Sequence, residues 1–136
     1  MRTIKFRGKR INRNGEWAYG DLRQLPECTL IVPSNSHDAA IDRDKVDIDT
    51  IGQFTGLYDK NGKEIYEGDI VKTKSGLCGF VLWNSRGYFY IKDNYFLDNE
   101  EPDLSPIGSL HCYERKQLEV IGSIHDNLDM LKGGQE

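Results

Sequence analysis

Cysteine is scarce in this chain, and the little there is falls into no metal or disulfide pattern. Cys28, Cys78 and Cys112 are an odd set with no Cys-x-x-Cys pair. That argues against a disulfide framework and fits the reducing cytoplasm. Histidine is equally sparse. His37, His111 and His125 stand far apart, and the adjacent His111 and Cys112 would point to opposite sides of a strand. A zinc site needs about four clustered ligands, so no metal site is expected. No apolar run nears the ~20 residues of a membrane-spanning helix, and no membrane partner is expected. The basic start, MRTIKFRGKR, has no apolar stretch behind it and does not read as a secretory signal. Composition excludes collagen, coiled coil and full disorder.

An excess of positive charge is missing too. Eighteen Lys and Arg face 22 Asp and Glu, a net charge of -4, which argues against a general polyanion binder. Catalytic signatures are also missing: no Gly-x-Ser-x-Gly, His-Glu-x-x-His, P-loop or Gly-x-Gly-x-x-Gly sits in a suitable context. Cys78 beside the Ser75-Gly76 turn would need a nearby base to act as a nucleophile, and reads as a buried structural thiol. Asp59-Lys60-Asn61-Gly62 begins like a calcium loop. Lys63 and Glu64 then occupy the positions where an EF-hand needs Asp or Asn and Gly. Glu64 and Glu67 near Asp69 suggest acid–base chemistry, but a solvated hairpin explains them. No enzyme, catalytic residue or cofactor is expected.

What the chain has is turn chemistry between short apolar runs. At 136 residues it is long enough for one domain with an extension. TIKFRGKRI (3–11) alternates as a half-buried strand, and Asn14-Gly15 is a strong hairpin dipeptide. EWAYGDL (16–22) returns with Trp17 and Tyr19 on one face, and CTLIV (28–32) closes at Pro33. Residues 34–49 are polar and acidic, and read as a long variable loop anchored by Ile41, Val46 and Ile48. A hairpin tip follows at 59–62, a tight turn at Gly68-Asp69, and another hairpin between 79–83 and 88–91. NRNGEWAYGDL (12–22) and DKNGKEIYEGDI (59–70) echo each other. Repeated turn chemistry accounts for the echo, a duplicated β-unit being the alternative. LEVIGSI (118–124) is the last strand. Asn127 caps a short helical turn, and the tail at 132–136 frays.

Phe80-Val81-Leu82-Trp83 and Tyr88-Phe89-Tyr90-Ile91 do not alternate, so both faces of this ribbon are apolar and both need covering. The N-terminal strands or a second subunit would supply the cover. Charge is segregated: seven bases lie in residues 1–23, and Asp93, Asp98, Glu100, Glu101 and Asp103 stand together without a base. Two candidate interaction surfaces follow, a basic arm (Lys5, Arg7, Lys9, Arg10) and an aromatic hairpin (Trp83, Tyr88, Tyr90).

IKFRGKR, EWAYGDL, IGQFTGLYDKNGKEIYEGDIVK, GFVLW and LEVIGSIHDNLDML together resemble the YopX family of phage and prophage proteins over nearly the whole chain. Family tails usually carry a proline after the Asn, where this chain has Leu128. The resemblance implies a mainly β fold: an N-terminal β extension over 1–57, then a C-terminal SH3-like barrel with its helical turn over 58–131. It brings no catalytic residue, cofactor or substrate. The expected role is a non-catalytic protein-binding or self-assembling module in the bacterial cytoplasm, as a homo-oligomer or with a phage or host protein. Nucleic-acid binding by the basic arm and exposed aromatics is the alternative.

Overall fold

The computed structural model describes residues 3–34, 38–74, 76, 78–84, 87–93, 106–109 and 118–127. The chain divides into two units, Met1–Gly56 and Leu57–Glu136, and is mainly β throughout. No helix among the described residues is long and apolar enough to cross a membrane.

In the first unit β1 (Phe6–Lys9), β2 (Trp17–Gln24), β3 (Thr29–Val32) and β4 (Gly52–Tyr58) are antiparallel in the order β3-β2-β1-β4. The alternation of 3–11 is realised over a shorter span. Phe6 faces a core of Ala18, Ile31 and Val46, joined by Leu22 and Ile51. Gly8 lies on the same face, where a Cβ would come within 3.1 Å of Ile31 and 3.3 Å of Val46. Lys5, Arg7 and Lys9 fall on the opposite face. Asn14 and Gly15 both take positive φ, 53° and 74°, at the centre of a tight turn closed by the Glu16 N–H onto the Arg13 carbonyl, within the longer connection from Lys9 to Trp17.

The stretch 34–49 is more structured than a polar loop. Its described part holds a one-turn helix, α1 (Ile41–Asp44), and a 3-10 turn at Ile48–Thr50. Val46 is buried as expected, but Ile41 and Ile48 are 52% and 65% exposed. The anchor the sequence hides is Asp44, fully buried. Arg43 donates to both its oxygens at 2.8 Å, and the Ala40 N–H donates at 2.9 Å. A buried carboxylate is tolerable because it is ion-paired and hydrogen-bonded.

The last residues of β4, Leu57 and Tyr58, belong to the second unit, which continues with β5 (Glu64–Tyr66), β6 (Asp69–Thr73), β7 (Cys78–Asn84), β8 (Tyr88–Asp93), β9 (Pro106–Ser109) and β10 (Leu118–Ser123). A five-stranded sheet of this unit runs β10-β6-β7-β8-β9, all antiparallel. Among the described residues no pairing closes β9 onto β10. The acidic stretch 94–105, the helical turn expected after Asn127 and the tail 132–136 lie outside the described residues.

Two apolar clusters sandwich this sheet. Ile65, Val71, Val81, Phe89, Ile91 and Leu118 form one, with Leu57 and Val120 packed against it. Ile70 and Phe80 form the other, with Cys78, Leu82, Ile121 and Ile124. Successive strand residues point to opposite faces, so the unbroken run Ile70-Val71 feeds both clusters, as does Phe80-Val81.

Candidate interaction surfaces

The register of β1 decides which basic residues share a face. Arg7 pairs with Tyr19, and Lys9 with Trp17. Phe6 pairs with Gln53, which places Lys5 beside Phe54. Lys5, Arg7, Lys9, Trp17, Tyr19 and Phe54 therefore line one side of the sheet. The cations lie over the rings: the Arg7 guanidinium carbon is 4.3 Å from the Trp17 centroid, Lys9 Nζ is 5.4 Å from the same ring, and Lys5 Nζ is 5.8 Å from Phe54. Such contacts are worth about 0.5–2 kcal/mol, more where water is excluded. Arg7 is only 5% exposed. Arg10, grouped with these three by sequence proximity, has the opposite strand parity. It pairs with Val46 and makes a 3.5 Å salt bridge to Glu16.

Parity also divides the aromatic hairpin. Trp83 pairs with Phe89, and Val81 with Ile91, so Trp83 continues the face built on Val81. Its ring meets Phe89 edge-on, centroids 4.7 Å apart. Tyr88 and Tyr90 lie on the opposite face, with centroids 6.5 Å apart. Tyr90, opposite Leu82, is buried, whereas Trp83 is 46% exposed. The three residues do not share one face: Trp83 lies at the end of the row of Val81, Phe89 and Ile91, and Tyr88 and Tyr90 lie on the other side.

The carboxylates that had suggested acid–base chemistry are occupied as acceptors. Asp69 Oδ2 accepts from the Tyr66 N–H at 2.7 Å, and Glu64 Oε1 from the Tyr66 hydroxyl at 2.9 Å. Asp59, read only as part of a hairpin tip, is a junction. Its Oδ1 accepts from the N–H groups of Asn61 and Lys63, and its Oδ2 from that of Val120. Burial pushes the Asp59 carboxyl up. The three N–H groups and the Lys63 charge outweigh it, so its pKa falls below the usual range. The available signal was Asp two residues before Asn-Gly, an Asx-turn pattern. Gly68, at φ 94°, donates its N–H to Val81 and accepts from the Ile124 N–H. Cys78 is a free, half-buried thiol. Among the described residues no three His, Cys, Asp or Glu side chains are grouped to hold a metal.

Comparison with known proteins places these features in context. The family model described as "YopX protein" matches residues 5–132. Among solved structures, the crystal structure of protein EF1440 from Enterococcus faecalis is similar to this chain. The TM-score is 0.51 at 22% sequence identity, over 96% of this chain and 99% of that one. At that identity the likeness concerns the fold alone. No curated protein sequence matches.

Proposed function

The chain belongs to the YopX family, and on that footing we propose that it is a non-catalytic protein-binding module of phage or prophage origin, acting in the bacterial cytoplasm. Its second unit is read as a small SH3-like barrel. Ile65, Val71, Val81, Phe89, Ile91 and Leu118 bring five strands to one core, and Lys60 N–H donates to the Leu118 carbonyl, tying the turn before β5 to β10. The observation that carries the binding role is Trp83. It is a large aromatic left half in water at the end of a strand pair whose other apolar residues are covered. Exposed aromatics held by rigid elements are favoured contact points in protein interfaces.

Self-assembly is the less favoured reading, because the apolar residues of the ribbon other than Trp83 pack within the same unit. Nucleic-acid binding is less favoured for a similar reason. At the basic arm a base would need a free aromatic face, yet Trp17 already carries Arg7 and Lys9. A phosphate would need an accessible guanidinium, and Arg7 is buried.

The test is a titration of single- and double-stranded DNA and RNA at two salt concentrations, read by filter binding and by the emission of a Trp17→Phe chain in which Trp83 is the sole indole. The expected result is no saturable, salt-sensitive binding. Binding that weakens with salt and disappears on changing Lys5, Arg7, Lys9 and Arg10 to Ala would establish the nucleic-acid role instead. Light scattering across a dilution series should give a monomer, and a stable dimer would return self-assembly to the lead.

A further inference from the structure

Two Asn-Gly steps sit at exposed turns of this chain, Asn14-Gly15 and Asn61-Gly62, and the structure treats their nitrogens differently. We propose that Asn14 is a site of spontaneous covalent modification, cyclising to a succinimide and opening to aspartate and isoaspartate, while Asn61 is protected. In this reaction the Gly15 backbone nitrogen forms a bond to Asn14 Cγ. The Cγ–amide bond breaks, and the amide leaves as ammonia with the proton from Gly15 N. Water then opens the ring at either carbonyl, so the only co-reactant is solvent. The following glycine makes both steps chemically equivalent, because no side chain shields the attacking nitrogen.

Hydrogen bonding separates them. The Gly62 N–H donates to the Asp59 carbonyl at 3.0 Å, and the Asp59 carboxylate holds the N–H groups on either side, those of Asn61 at 2.8 Å and Lys63 at 2.9 Å. To attack, Gly62 N must leave a turn that three bonds to one residue hold closed. Around Asn14 the bond across the turn is Glu16 N–H to the Arg13 carbonyl, 3.0 Å, with Arg10 N–H to the Glu16 carbonyl, 2.8 Å, closing the hairpin behind it; among the described residues the Gly15 N–H itself donates to nothing. The attacking nitrogen therefore has no such bond to break, and bringing it onto Cγ needs only local fluctuation of the turn. The consequence is local. A Cβ built on Gly15 would lie 4.0 Å from Lys9 Nζ, so Lys9 reaches the turn at the residue next to the new carboxylate. The isoaspartate form also adds a backbone methylene at the turn that sets the Lys9–Trp17 pairing.

The experiment is peptide mapping by mass spectrometry after incubation of the intact chain at mildly alkaline pH, natively and in concentrated urea. Expected is conversion at Asn14 severalfold faster than at Asn61 in the native chain, with the two rates converging in urea. An Asn14→Gln chain should lose the fast product and nothing else. Equal native rates, faster conversion at Asn61, or native resistance at Asn14 matching that at Asn61 would each overturn the proposal.

Discussion

Asp59 Oδ2 accepts a hydrogen bond from the backbone N–H of Val120, 61 positions along the chain, at 3.0 Å. The same carboxylate holds its own hairpin through Asn61 and Lys63. One side chain therefore fixes both a local turn and the strand that returns to it.

Replacing Asp59 with Ala strands three backbone donors. A hydrogen bond to a charged acceptor is worth about 1.5–3 kcal/mol, and unmet buried donors add to the loss. Asp59→Ala should lower stability by on the order of 3 kcal/mol, read from urea unfolding. Asp59→Asn keeps one acceptor oxygen and should cost less. An unchanged midpoint in Asp59→Ala would show that the junction holds nothing.

Acid should weaken the fold through Asp44 and Asp59. The Arg43 hydrogen bonds, against the opposing effect of burial and with help from the Ala40 N–H and nearby Arg charges, take the Asp44 carboxyl from 3.8 to about 2. Asp59 is lowered as well. In both cases the unfolded chain binds the proton more tightly, so stability rises with pH across the window between the two states. The contribution is complete above the unfolded value and is lost as pH falls from about 5 toward 2. Unfolding measured at steps of pH should show this limb, and Asp44→Asn should flatten it. A limb as steep in the variant as in the parent would place the acid sensitivity elsewhere.

Two glycines should respond unequally to alanine. At Gly68, φ 94° costs a side-chain-bearing residue about 1–2 kcal/mol, and the new Cβ would meet His125 Nε2 at 3.3 Å, a ring that can shift. At Gly20, φ 151°, the Cβ would collide with the Val32 carbonyl oxygen and lie 2.9 Å from Pro33 Cα, all backbone. Gly20→Ala should disrupt the first unit outright, while Gly68→Ala should only lower the melting temperature. Gly68→Val, with a bulkier branch at the same φ, should cost more. The reverse order would contradict the geometry.

The two tryptophans should differ in solution. Trp83 is 46% exposed, whereas Trp17 lies beneath Arg7 and Lys9. Acrylamide should quench the emission of the Trp17→Phe chain more strongly than that of the Trp83→Phe chain. Equal quenching would remove Trp83 as an exposed contact point.

Much of this architecture is legible in the sequence, because turns and parity are local. Asn14-Gly15, Gly68-Asp69 and the hairpin around Gly87 all punctuate strands where expected. The burial of Phe80, Val81, Phe89, Tyr90 and Ile91 on both sides of the ribbon follows from a run without polar alternation. What sequence conceals is the long-range part. Asp44 looks like one acid among many in 38–49, and only its Arg43 pairing and burial distinguish it. Trp83 and Tyr88 look like neighbours across a turn. The Asn84–Tyr88 pairing makes 83 face with 89, not with 88 or 90. The parity that sets Arg10 apart from Lys5, Arg7 and Lys9 was readable from the numbering. The stacking of Arg7 on Trp17 required the partner strand.

A photo-crosslinking residue placed at position 83, expressed in the bacterial host and compared with one at the equally exposed Tyr58, probes the binding role most directly. The account predicts a discrete protein adduct from position 83 that is absent from position 58 and is lost on competition by the unlabelled chain but not by its Trp83→Ser variant. An adduct to nucleic acid, or identical adducts from both positions, would contradict it.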